Sequence, residues 1–149
     1  MPAPAHAPAP TPAPGHHARG ASFLQRLLHR GRMGRFAETL AARHMRRLGY
    51  RIVGRNVTMQ RGELDVVALK GDVLAIVEVR SRRAGAPVSP EQSVDRIKQQ
   101  HLVRATTEYL AHKRIHDVAV RFDVIAIEFD ERWRVVRFDH IERAFDPPR

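Results

Sequence analysis

Cysteine is absent from all 149 residues. That excludes disulfides, thiolate zinc centres and cysteine nucleophiles, and it accords with a reducing compartment. Aromatic residues make up only 6% of the chain, too few for a surface that stacks on successive single-stranded bases. No apolar run approaches the roughly 20 residues needed to cross a bilayer, so no membrane partner is expected. The N-terminus lacks the basic region and apolar core of an export signal, and a cytoplasmic location is the expectation. There is no phosphate-binding glycine loop of the P-loop type. No Ser-His-Asp arrangement can be argued either. Negative charge is the scarcer sign: 16 Asp and Glu stand against 26 Lys and Arg, for a net charge of +10. The excess is almost all arginine, whose planar fork pairs with phosphate in a bidentate manner. Such a balance points to a polyanion, with nucleic acid ahead of an acidic membrane surface and DNA ahead of RNA.

The first 30 residues read as a tail. Met1 to about Gly20 is a Pro/Ala tract with scattered His, which favours extended, solvated backbone. His6, His16 and His17 in it are better read as solvated than as metal ligands. Ser22 to His29 carries Phe23, Leu24, Leu27 and Leu28, a short amphipathic piece suited to docking on the domain or on a protein partner. Residues 31–149 are enough for one domain with its own core.

Within it, Phe36, Leu40, Ala41, Met45 and Leu48 recur at helical spacing, and Gly49 is placed to cap that helix. Tyr50 to Val57 reads as a strand, with a polar turn at Gln60 and Arg61. Two apolar runs, Gly62 to Leu69 and Val73 to Arg80, flank Gly71-Asp72, a strong hairpin signal. Ser81 to Val88 has the composition of a flexible loop. Ser89, Pro90 and Gln92 then predict the start of a helix that continues to about Arg114. Val118 to Phe129 and Trp133 to Phe138 predict two further strands, alternating as an edge or outer strand does. Ile141 to Phe145 is expected to form one last turn. The order helix-strand-strand-strand-helix-strand-strand indicates an α/β sandwich around a mixed sheet.

The hairpin carries the chemistry. A two-residue turn at Gly71-Asp72 sets Lys70 against Val73 and, counting outward, Asp65 against Glu78 and Glu63 against Arg80. Opposed like charges on one sheet face are destabilising, and each carboxylate lies in an apolar strand. A cation between them resolves both problems, and hard oxygen donors suit Mg²⁺ or Mn²⁺. Ion pairs with Arg80, Arg82, Arg83 or Lys98 are the competing account. Lys98 projects from the core-facing row of its helix, either snorkelling to water or pointing at Asp65 and Glu78. Glu38 lies at the edge of the first helix's apolar face, within reach of a neighbouring site or simply solvated. His112 and His116, four apart, are a weaker metal candidate.

Glu38 on a first helix, Asp65 on a strand and Glu78-Val79-Arg80 on the next resemble the PD-(D/E)xK nuclease core. More closely, the chain resembles the YraN family of bacterial proteins. The matching pieces are Glu38 to Met45, Gly49-Tyr50, Asn56, Gly62 to Asp65, Val77 to Val79, Lys98, Arg121-Phe122-Asp123-Val124 and Ala144-Phe145. The resemblance implies a restriction endonuclease-like three-layer sandwich and a metal-dependent phosphodiesterase site, acting on DNA that is branched or otherwise structured. Asp65 and Glu78 would hold Mg²⁺ or Mn²⁺ with the Val79 carbonyl, and Glu38 would reach in from the first helix as a ligand for a second ion or through water. Arg80, Arg82 and Arg83 would contact nucleic acid, and a homodimer is implied by relatives with this core. Arg80 occupies the position of the motif's lysine, and arginine cannot serve as a general base. Either Lys98 takes over that role, or the chain keeps nucleic-acid binding without turnover.

Overall fold

The computed structural model describes the backbone of residues 19–86 and 94–147, and the side chains of residues 31–86 and 94–147. Helix α1 (Arg19–Arg47) is followed by β1 (Arg51–Met59), β2 (Gly62–Lys70), β3 (Val73–Arg83), α2 (Arg96–Lys113), β4 (Ala119–Phe129) and β5 (Val135–Phe145). The five strands form one sheet in the order β1-β2-β3-β4-β5. Only β3 and β4 pair in parallel, and α2 supplies the crossover that a parallel pair requires.

Each face of the sheet buries one helix. Met33, Ala37, Ala41, Ala42 and Met45 of α1 pack with Val66, Ala68, Ala75, Val77, Ile125, Ile127 and Phe129. Small side chains at helical spacing let α1 lie close to the sheet. On the other face, Leu102, Ala105 and Tyr109 of α2 pack with Leu64, Val67, Leu74, Ile76 and Phe122. Among the described residues, no helix is long and apolar enough to cross a membrane.

Several boundaries differ from the sequence reading. Helix α1 crosses the expected domain start at Gly31 without interruption, so residues 22–29 continue its backbone. Gly49, with φ of +89°, does close it; the Gly49 amide donates to the Arg46 carbonyl and the Tyr50 amide to that of Met45, both at 3.0 Å. Strand β3 runs on through Arg83, beyond the expected loop start at Ser81, because β4 stays paired with it as far as Arg83↔Phe129. Ser89, Pro90 and Gln92 lie outside the described residues. Helix α2 begins later than they imply, capped by Asp95, whose carboxylate accepts the Lys98 amide at 2.8 Å.

The end of the chain also departs from expectation. Strand β4 is an inner strand buried along most of its length, not an edge strand. Asp123, one of its two acids, mimics alternation but is itself buried. Residues 141–145 extend β5 instead of forming a turn. A register shift between Phe122 and Val124 brings Phe145 opposite Phe122, where the two rings stack at 4.8 Å.

Candidate functional site

The hairpin register is the expected one: Lys70 pairs with Val73, and the ladder proceeds to Val66↔Val77. Gly71, at φ of +59°, supplies the first central residue of a turn whose twist suits a two-residue hairpin. Asp65 and Glu78 are the next residues outward, immediately beyond the last pair. The ladder stops there, so Glu63 and Arg80 do not pair across it. Glu63 lies opposite Thr58 of β1, and Arg80 opposite Ala126 of β4.

The cause is local to Asp65. Leu64 packs in the α2 layer while Val66, two residues on, packs in the α1 layer. Regular alternation would put both on one face. The strand therefore rotates between them, and the Asp65 carboxylate turns to take the Val79 amide at 2.8 Å. Val79, whose carbonyl the resemblance makes a ligand, meets Asp65 through its N–H.

Glu78 is 3% exposed. Its Oε1 meets two cations, Arg80 at 3.2 Å and Lys98 Nζ at 3.3 Å. Its Oε2 is buried without a hydrogen-bond partner among the described residues. Burial, reinforced by the Asp65 charge, raises the Glu78 pKa to about 7 against the opposing pull of Lys98 and Arg80. Asp65 is raised as well, chiefly by burial and despite the Val79 amide.

Glu38 approaches from α1. Its pKa is raised by burial and by the charges of Asp65 and Glu63, while a hydrogen bond from the Asn56 side chain opposes the rise. Like Glu78, it keeps a buried Oε2 with no hydrogen-bond partner among the described residues. The fold thus gathers Glu38, Asp65, Glu78, Arg80 and Lys98 where α1, the hairpin and α2 meet. Among the described residues, no three His, Cys, Asp or Glu side chains stand close enough together to hold an ion as they are. That holds for His112 and His116 too.

The remaining arginines divide. Arg82 is committed to the protein itself, donating to Glu128 at 2.9 Å through Nε and to the Ala86 carbonyl at 2.8 Å. Arg83 is exposed.

A second polar cluster joins β4, β5 and α1. Asp123 accepts from Arg121 at 2.8 Å and 2.7 Å, from the Arg143 amide at 3.0 Å, and bonds His140 Nε2 at 2.9 Å. His140 Nδ1 in turn meets His44 Nε2 at 3.0 Å. Sequence reasoning missed this chain. Its one local signal is an acid inside the apolar run of β4, and nothing local links His44 to a ring 96 residues away.

Comparison with known proteins gives a consistent match. The model of the uncharacterised protein family UPF0102 matches residues 37–127, a stretch holding Glu38, Asp65, Glu78, Lys98 and Asp123. A UPF0102 protein of Chlorobaculum tepidum is 40% identical over 117 residues, covering 76% of this chain and 91% of that protein. One of Anaeromyxobacter dehalogenans is 42% identical over 115 residues, covering 76% and 84%. One of Pseudomonas aeruginosa is 41% identical over 114 residues, covering 76% and 91%.

Proposed function

The chain belongs to the UPF0102 (YraN) family, and from that premise we propose a nucleic-acid-binding protein with a divalent-metal phosphodiesterase site on a restriction endonuclease-like sandwich. The substrate is DNA, branched or otherwise structured, and the location cytoplasmic. The observation that carries this reading is the pair of carboxylate oxygens, Glu38 Oε2 and Glu78 Oε2, buried without a partner among the described residues, beside the half-buried carboxylate of Asp65. Buried acids without donors are costly, and a hard cation is the group that oxygens of this kind accept. Arg80 and Lys98 pair with Glu78 Oε1, and Oε2 has no hydrogen-bond partner among the described residues.

Asp65 and Glu78 would hold Mg²⁺ or Mn²⁺, with Glu38 joining directly or through water and the Val79 carbonyl as a further donor. The bound ion would activate a water and stabilise charge on the scissile phosphate. Lys98, anchored on α2, orients that water or meets the phosphate as a point charge. Arg80 holds phosphate and cannot remove a proton. Arg83 extends the contact along the backbone of the nucleic acid.

Metal-dependent cleavage of four-way and linear duplex DNA tests this. The parent is expected to cut in Mn²⁺, and Asp65→Asn and Glu78→Gln are expected to lose cleavage while remaining folded by circular dichroism. Cleavage by both variants at the parent's rate removes the site assignment. One observation favours a second reading, a binding module without turnover: the motif's lysine position is Arg80, which is ion-paired to Glu78. Tight DNA binding by a parent that never cuts, with cleavage gained in Arg80→Lys, would establish that alternative.

A further inference from the structure

Resting on the nucleic-acid reading above, we propose that the outer face of α1 is the surface along which duplex DNA lies. Its phosphates are held there by Arg32, Arg35, Arg43 and Arg46 of the helix and by Arg55 of β1, all of them exposed. At about 100° per residue, the four helix arginines fall within an arc of about 80°. At 1.5 Å per residue, the ridge from Arg32 to Arg46 is about 21 Å long. It points away from the sheet, because Met33, Ala37, Ala41 and Met45 on the other side of the helix carry the packing. Between Arg35 and Arg43 the arc holds Thr39 instead of an arginine, and Arg55 fills that place. Its guanidinium donates to the Thr39 hydroxyl at 3.0 Å, which donates in turn to the Arg35 carbonyl at 3.0 Å.

The ridge is electrostatically uncompensated. Arg32 and Arg35 stand three apart on the helix, as do Arg43 and Arg46, and like charges at that spacing repel. From Gly31 to Arg47 the helix has one acid, Glu38, and its Oε2 is buried. Among the described residues, none of the four helix arginines is ion-paired, whereas Arg82, Arg121, Arg134 and Arg137 each meet a carboxylate. A polyanion is the partner that relieves such repulsion. Duplex DNA also fits in length, since about 21 Å of its axis carries about six phosphates on each strand, against five guanidinium groups. Two of the arginines precede Glu38 and two follow it, so a duplex on the ridge passes the residue that α1 brings to the proposed site. The Arg35 end is continuous with Arg83: the Phe36 ring lies 5.5 Å from that of Phe129, the residue paired with Arg83. The arc presents no apolar side chain that could enter a bilayer, and Phe36, just outside it, has its ring against Phe129 and Trp133.

The test is fluorescence titration of the full chain with duplex DNA at salt concentrations from about 50 to 200 mM. Three charge-matched variants are compared with the parent. Arg32→Gln/Arg35→Gln and Arg43→Gln/Arg46→Gln remove the two halves of the ridge. Arg104→Gln/Lys113→Gln removes exposed charges of α2, the helix across the sheet. Each ridge pair is expected to lower the slope of log affinity against log salt by about 1.8. Each should also melt no lower than the parent, because a repulsion is removed. The α2 pair is expected to keep the parent's slope. An equal fall in all three variants would mean that net charge alone acts, and overturns the ridge. Parent-like slopes in both ridge pairs, with a parent that binds DNA, overturn the ridge while the nucleic-acid reading stands. A fall in one ridge pair only overturns the lengthwise placement. A parent that binds no DNA overturns the nucleic-acid reading and the ridge together. Phosphatidylserine vesicles provide the remaining arm: vesicle binding lost in the ridge pairs while their DNA slopes stay parent-like assigns this face to an acidic membrane surface instead.

Discussion

Glu78 meets two cations on one oxygen and has no hydrogen-bond partner on the other among the described residues, and this asymmetry has a measurable signature. With a pKa near 7 in the folded chain against an ordinary value of 4.5, the metal-free protein keeps a proton on Glu78 that the unfolded chain has released. Protonation therefore favours the folded state between those two values. The stability this residue contributes is complete below pH 4.5 and is lost as pH rises through 7, at up to about 1.4 kcal/mol per pH unit. Asp65, raised in the same direction, shares the titration, and the pair behaves as one coupled unit. Metal must displace that proton. Mn²⁺ affinity of the parent is therefore expected to climb as pH rises from 6 to 8, and calorimetric titrations at those pH values should show it. Equal affinity across the range would mean that Glu78 is not a ligand.

At the scale of elements, a proton acts in the opposite sense where α1 meets β5. His44 is lowered below its ordinary value of 6.5, first by burial and then by the charges of His140 and Arg47. The His44–His140 bond requires at least one neutral ring nitrogen, and Asp123, held low by His140, Arg121 and the Arg143 amide against its burial, anchors the other end. The folded chain refuses a proton that the unfolded chain accepts, so stability falls as pH drops from 6.5 towards the folded value of His44. The two effects oppose each other just below pH 6.5 and partly cancel in the parent. Urea midpoints should separate them: His44→Gln is expected to gain stability on acidification, and Glu78→Gln to lose it. Parallel curves for both variants would contradict the assignment of either group.

The contrast also shows which parts of this molecule local sequence can carry. The hairpin register, and with it the nearness of Asp65 to Glu78, follows from Gly71-Asp72 and two apolar runs, because a two-residue turn fixes pairing. Lys98 follows from helical spacing alone. The extent of β3 and β5 does not, since Ser81 to Arg83 and Ile141 to Phe145 are strand only because β4 offers them partners.

For the whole molecule, the +10 charge would set how the proposed DNA binding responds to salt, and the fold sets which arginines could take part. Each phosphate neutralised contributes about 0.9 to the slope of log affinity against log salt concentration. Arg82 and Arg83 are adjacent in sequence and equal in charge, so composition assigns them the same role. The structure does not. Arg82 is bound to Glu128 and to the Ala86 carbonyl, and moving it to a phosphate would leave the largely buried Glu128 carboxylate with the longer Arg137 contact at 3.5 Å. Arg83 projects from the end of β3 into solvent, on the strand that carries Glu78. In fluorescence titrations of duplex DNA between 50 and 200 mM salt, Arg83→Ala is expected to lower the slope by about 1. Arg82→Ala should leave that slope unchanged and instead lower the melting midpoint, because Glu128 keeps only its longer contact to Arg137, at 3.5 Å, of the two arginines. The reverse pattern, a reduced slope in Arg82→Ala with parent-like melting, would mean that the Glu128 pair opens when DNA binds, and that the β3 end is remodelled by its ligand.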